Sequence, residues 1–214
     1  QFVIATIPAS TMTRAQGPVD PNDAESVEEW VDTVQQQAVN EMAASIAPDA
    51  LERSAKALRA NLLQTWDRLD DGTQRMLATA EYFGGGVTPA MDHSGPLLGL
   101  AAGCERLMRN YLSGLAVSIP GALTFGRLLR VADDACKNVG GSPAQPLRVA
   151  LQQDGVNVAD LHDLITDLFQ LNSDYRIPAA HADVLEEPQW FAGRAAILLG
   201  GDAALPRIVD VLGL

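Results

Sequence analysis

The sequence predicts an all-α fold, a bundle of about five to eight helices behind an extended N-terminal arm. Aromatic residues make up only 5% of the 214 residues, while the strong helix formers Ala and Leu are abundant. Beyond residue 10, no segment alternates apolar and polar residues as a half-buried strand would. Apolar residues instead recur at helical spacing in segments separated by Gly, Pro and Asp-Gly stops. These observations favour a helical bundle.

The first 22 residues predict an arm or linker. The stretch FVIATI is typical of a short strand or an extended segment, and Pro8, Gly17, Pro18 and Pro21 punctuate the loop that follows it. The chain opens without Met and without a basic region before its apolar stretch, so no signal peptide is indicated. Because the chain starts with an apolar, β-leaning stretch that lacks Met, we expect this domain to be one part of a longer protein.

The sequence of residues 23–86 predicts a first group of helices. We expect them either to form a subdomain of their own or to pack on the outside of the bundle. Acidic residues open the first helix, where the helix dipole favours them, and Pro48 suits the first turn of the second. An Asp-Asp-Gly stop follows, then a shorter helix and three consecutive glycines at 84–86. We expect these helices over 23–47, 48–69 and 73–83.

Residues 96–214 predict the main bundle. Its first helix is nearly apolar at the start and amphipathic later, so we expect it at the centre of the fold. Amphipathic helices follow, separated by loops rich in Gly, Pro and Asp-Gly. We expect the helices of this part over 96–118, 123–138, 147–153, 158–171, 188–199 and 205–212.

Charge and cysteine content narrow the classes of function. A formal net charge of −12 argues against a broad nucleic-acid-binding surface, although a small local phosphate site is compatible with it. No segment approaches the roughly 20 apolar residues that span a bilayer, so no membrane partner is predicted. Cys104 and Cys136 belong to no CxxC or Cys/His cluster, which indicates reduced thiols in a cytoplasmic protein. We expect Cys104 in the core.

Most catalytic and binding motifs are absent from the sequence. The glycines at 84–86 lack the following Gly-Lys-Ser/Thr of a phosphate-binding loop, and no GxSxG element occurs. His93 and His162 are isolated, and we expect both at the surface. Three histidines without ligand spacing predict no metal site, and no cofactor is indicated.

One pair of residues stands out, Arg176 and His181 in the segment YRIPAAH. Arginine is a fixed cation suited to phosphate, and histidine titrates near neutral pH. On an unbroken helix their spacing would point them to different sides. Pro178 disfavours the α conformation at Ile177. We therefore expect a helix break there that brings both side chains to one cleft.

YRIPAAH resembles the signature of the HEPN superfamily, in which Arg and His are separated by four to six residues. The preceding helix, ADLHDLITDLFQLNSDY, and the segments GCERLMRNYL and LTFGRLLRVA are similar to the helical surroundings of that signature in bacterial members. The resemblance covers roughly residues 96–199. It implies a helical bundle that forms a homodimer, with two copies of the motif facing one cleft.

The resemblance also implies a metal-independent ribonuclease, in which a ribose 2′-hydroxyl attacks the adjacent phosphate. In that chemistry His181 would be the general acid/base and Arg176 would stabilise the phosphate charge. Glu105, on a facing helix, would orient the two.

Two features depart from the active members of the superfamily. Ile177 stands where the residue after the Arg is usually polar, often Asn, and the chain is acidic although RNA binding relies on phosphate contacts. Two functions therefore stay open. One is cleavage or binding of RNA or a nucleotide at a dimeric Arg176/His181 cleft, and the other is a non-catalytic module for dimerisation or for docking partner domains.

Overall fold

A computed structural model describes residues 23–45, 48–85, 92–115, 117, 123–139, 141, 143–181 and 184–214. All regular structure in these ranges is helical, so the all-α prediction is confirmed. The predicted arm, residues 1–22, lies outside the described residues. Within the described ranges, no helix is both long enough and apolar enough to cross a membrane.

Eleven α-helices are described, more than the five to eight expected, because short helices supplement the long ones. In chain order they are α1 (Ala24–Ser45), α2 (Pro48–Leu62), α3 (Gln64–Asp67), α4 (Asp71–Gly85), α5 (Ser94–Gly114), α6 (Phe125–Lys137), α7 (Ala144–Gln153), α8 (Val158–Leu171), α9 (Ile177–Ala180), α10 (Glu187–Leu198) and α11 (Ala204–Leu212). A π-helical turn, Asn172–Arg176, joins α8 to α9.

Helix α5 lies at the centre of the bundle, as its apolar sequence predicts. Residues 94–105 are all buried, and Cys104 among them has no exposed surface. Helices α1, α4, α9, α10 and α11 all pack against α5. Burial of the apolar side chains of α5 stabilises the packing of these helices around it.

Several helix boundaries differ from the predicted ones; the central helix α5, for example, ends at Gly114 and not at 118. The expected helix over 48–69 is interrupted at Leu63, whose φ of +48° ends α2 and whose side chain is 68% exposed. Trp66, in the short helix that follows, is nevertheless buried as its apolar spacing predicts. Helix α7 begins at Ala144, earlier than expected, because Pro146 falls in the first turn, where no backbone N–H is needed.

Hydrophobic contacts cross the predicted boundary between residues 23–86 and 96–214. One buried cluster contains Val31 of α1 together with Leu97 of α5 and Leu164 of α8. The position of the boundary itself falls largely outside the described residues, so the subdivision stays a prediction. The packing joins α1 to the helices that carry the candidate site.

Candidate functional site

The segment that carries Arg176 and His181 is helical, and the predicted break at Ile177 is wrong. Ile177 has φ −63° and ψ −52°, in the right-handed helical region. Its N–H donates to the carbonyl of Asn172, five residues back, so the helix widens into a π turn just before Pro178. The wider turn accommodates a residue that has no N–H and a bulky ring, and the helix continues to Ala180.

Arg176 is fully buried, with 0% of its side chain exposed. Its guanidinium donates five hydrogen bonds, all to side chains of the same chain: Glu28, Asp32 and Gln35 of α1, Glu105 of α5, and Asn172 of the π turn. The bond from Nε to Gln35 is 2.8 Å long, and that from Nη1 to Asn172 is 3.1 Å. Because arginine has five N–H donors, none is left without an acceptor.

The acceptors around Arg176 are themselves held by further hydrogen bonds. The Gln35 amide donates to Glu105 at 2.8 Å, and the Asn172 amide donates to Glu28 at 2.8 Å. Arg109, one turn along α5, binds Glu105 at 2.6 Å. These bonds connect α1, α5 and the π turn in one polar network inside the bundle, and we call this network the Arg176 cluster.

The Arg176 cluster carries more negative than positive charge. Three carboxylates, those of Glu28, Asp32 and Glu105, face two guanidinium groups, those of Arg176 and Arg109, which leaves one excess negative charge. Burial raises the pKa of Asp32 to about 6; Arg176 lowers it, and the neighbouring carboxylates raise it further. Asp32 therefore takes up a proton just below neutral pH, and that proton removes the excess charge.

His181 lies on the surface, outside the Arg176 cluster. Its ring centroid is 5.0 Å from that of Trp30, with the two planes tilted by 40°. Within the described ranges, no hydrogen bond or ion pair joins His181 to Arg176. The two side chains also differ in exposure: that of Arg176 is fully buried, whereas His181 is exposed. Glu105 does lie on a facing helix, where it contacts Arg176 at 3.4 Å.

Besides Asn172 and Arg109, three members of the Arg176 cluster, all on α1, were not predicted from the sequence: Glu28, Asp32 and Gln35. They lie at i, i+4 and i+7, on one face of α1, and the neighbouring Val31 and Ala38 are buried. That pattern, polar residues aligned beside a buried apolar stripe, is the signal that could have found them. Polar side chains on the packed face of a helix require partners, and Arg176 supplies them.

The two other histidines differ from each other in their surroundings. His162 is partly exposed and bonds Asp133 at 2.9 Å. The expectation of a surface position is wrong for His93, which is 1% exposed. Its ring stacks on that of Trp190, which lies 97 positions later in the chain.

The predicted catalytic residues do not line the groove that is open to solvent in the described structure. A groove of about 310 Å³ lies between α2, α3 and α4, and Leu51, Ala55, Trp66 and Ala78 form its apolar part. Arg176, which is fully buried elsewhere in the fold, does not line it. In the part of the chain that the structure describes, no three His, Cys, Asp or Glu side chains are placed to hold a metal ion.

No protein-family model, no curated protein and no solved structure matches this chain. Membership of the HEPN superfamily therefore stays a prediction from the segment YRIPAAH and its helical surroundings.

Proposed function

We propose that this domain is a non-catalytic helical module that binds another protein chain, with a second copy of itself as the first partner to test. The observation that carries the proposal is the saturated guanidinium of Arg176. A phosphate clamp needs N–H donors that face the substrate, whereas all five donors of Arg176 are used inside the bundle. A phosphate would reach them only after α1 had moved away.

The charge around Arg176 supports the same proposal. A phosphate at the guanidinium would lie beside the carboxylates of Glu28, Asp32 and Glu105, which already bind it. Like charges in a buried site repel strongly, because the surrounding dielectric is low. The role that fits Arg176 is an internal cross-link between α1, α5 and the π turn.

Exposed apolar side chains on α4 and α10 offer a surface for association. Phe191 is 56% exposed, and Tyr82 is also exposed. Arg194 of α10 binds Glu81 of α4 at 2.6 Å, so an ion pair fixes the two helices against each other. Phe191 lies one turn before Arg194, and Tyr82 directly follows Glu81. Aromatic residues on such a rigid surface are typical anchors of protein interfaces.

Sedimentation velocity over a range of protein concentrations tests the association. We expect the wild type to dimerise, and Phe191→Ser to weaken dimerisation at least tenfold because it removes an exposed aromatic anchor. Val149→Ser is the matched control, since Val149 is an exposed apolar residue on α7. A wild type that stays monomeric at millimolar concentration, or equal effects of both variants, would contradict association through this surface.

RNA cleavage at His181 is the second candidate function. It is favoured by the exposed His181 ring beside Trp30, because exposed aromatic rings can stack on unpaired bases. The test is incubation of RNA in EDTA with the wild type, His181→Ala and the control His162→Ala. We expect no cleavage by any of the three. Cleavage by the wild type and His162→Ala that is lost in His181→Ala would overturn the non-catalytic proposal.

A further inference from the structure

His93 is a buried histidine whose ring has no hydrogen-bond partner among the residues that the structure describes. It directly precedes α5, is 1% exposed, and both of its ring nitrogens, Nδ1 and Nε2, are unpaired within that part of the chain. Its ring lies 5.9 Å from that of Trp190, centroid to centroid, with the planes only 18° apart. Buried polar atoms are nearly always paired in native proteins, so an unpaired pair of ring nitrogens requires an explanation.

The backbone around His93 ties the start of α5 to the segment that leads into α10. The His93 N–H donates to the Leu185 carbonyl at 3.1 Å, and the Leu185 N–H donates to the Asp92 carboxylate at 3.2 Å. Trp190 then covers the His93 ring from the first turn of α10. We call these four residues, Asp92, His93, Leu185 and Trp190, the α10 latch.

The other side of Trp190 packs closely on α4. A Cβ built on Gly84 would lie 2.1 Å from the Trp190 ring, so only glycine allows this approach. The start of α10 is thus held between His93 and Gly84. Farther along, Gly193 packs on Leu97 of α5. Release of α10 would therefore uncover apolar side chains at the centre of the bundle.

The carboxylates near the His93 ring are poorly placed to neutralise a charge on it. They are Asp92 on its own segment and Glu187 on α10, and Gly84 of α4 contributes no charge. One oxygen of Asp92 already accepts the N–H groups of Ser94 and Leu185, and Glu187 is exposed to water. Burial lowers the pKa of His93, although Glu187 and Asp92 oppose that shift.

We propose that the α10 latch is acid-sensitive: neutral His93 keeps α10 on the bundle, and protonation of His93 releases it. In the closed latch an imidazolium would have two buried N–H donors without acceptors. In the open latch both donors reach water. Proton binding therefore favours the open form. This inference is independent of whether the domain associates with another chain.

Hydrogen exchange measured by mass spectrometry on residues 184–198 tests the latch. Between pH 7.5 and 5.0, after correction for the intrinsic rates, we expect protection to fall by up to about 30-fold. That is the limit for one proton taken up by a group of ordinary pKa near 6.5. Unchanged protection would overturn the inference. An equal fall in α8 would indicate global unfolding and would overturn it too.

Substitutions separate His93 from the other titrating groups. His93→Phe keeps the ring stack on Trp190 and cannot titrate, so we expect the acid response of α10 to disappear. His162→Asn and His181→Asn should retain it. If His93→Phe does not fold, His93→Gln takes its place. The wild type also gives a direct readout: a His93 ring signal by NMR that titrates at or above the ordinary value in the folded protein would contradict the latch.

Discussion

Replacement of Arg176 by Met should destabilise the protein severely, because it leaves the carboxylates of the Arg176 cluster without their main counter-charge. Arg176 has no exposed surface, and three of its five hydrogen bonds go to carboxylates. Removal of one partner from a buried ion pair typically costs about 3–5 kcal/mol. We expect a loss of unfolding free energy toward the lower end of that range, because Asp32 is partly exposed and Arg109 still pairs with Glu105.

Urea denaturation followed by circular dichroism measures this loss. The matched control is Arg53→Met, which removes an exposed ion pair of 2.8 Å with Asp49. Surface pairs contribute little, so the control should change the free energy of unfolding by less than about 1 kcal/mol. Arg176→Lys should lose an intermediate amount, about 1–3 kcal/mol, since it keeps the charge but has only three donors. Equal effects of Arg176→Met and Arg53→Met would refute the role of Arg176 as a buried cross-link.

Two further predictions concern the same bundle. Because the pKa of Asp32 is raised from 3.8 to about 6, the folded state binds this proton more tightly than the unfolded state. This group therefore lowers stability as pH rises from about 4 through 6, by at most about 3 kcal/mol. Asp32→Asn should remove that loss in unfolding curves at pH 4.5 and 7.5, and an unaltered pH dependence would contradict it. Gly84→Ala should cost about 1–3 kcal/mol through its clash with Trp190, whereas the neighbouring Gly85→Ala, with open space around it, should be neutral or stabilising in thermal melts.

The titrations of Asp32 and His93 act in opposite directions. The raised pKa of Asp32 favours the folded state at lower pH, and the lowered pKa of His93 disfavours it there. Between about pH 5 and 6.5 the two effects partly cancel in the wild type. Of these two contributions, Asp32→Asn should therefore keep only the rise in stability with pH, and His93→Phe should keep only the fall.

Local signals in the sequence were sufficient to predict most of the helices and the central position of α5. The segment that begins Pro96-Leu97-Leu98 is apolar on all sides, and only the middle of a bundle can bury such a helix. The stops at Asp70-Asp71-Gly72 and at Asp154-Gly155 also lie where helices begin or end. These features depend on residues that are close together in the sequence, so their physical meaning can be read locally.

The surroundings of Arg176 and His93 depend on contacts between distant residues. Asp32 lies 144 positions before Arg176 in the sequence, and Trp190 lies 97 positions after His93. Whether a histidine is buried is decided by what packs over it, which local spacing does not contain. The π turn was not predicted for another reason. The rule that proline ends a helix assumes a regular α-helix, in which the proline ring clashes with the preceding turn. The wider π turn before Pro178 avoids that clash.

The exchange rate of the Arg176 Nε–H shows most directly whether this guanidinium is an internal cross-link. NMR of the arginine side chains, with Arg176→Lys to assign the signal, reports whether this donor is buried and occupied. We predict a sharp signal that exchanges with water far more slowly than those of surface arginines and does not shift when an RNA oligonucleotide is added. Exchange as fast as that of Arg53, or a shift that saturates with RNA, would contradict an internal cross-link and would restore Arg176 as a phosphate-binding residue.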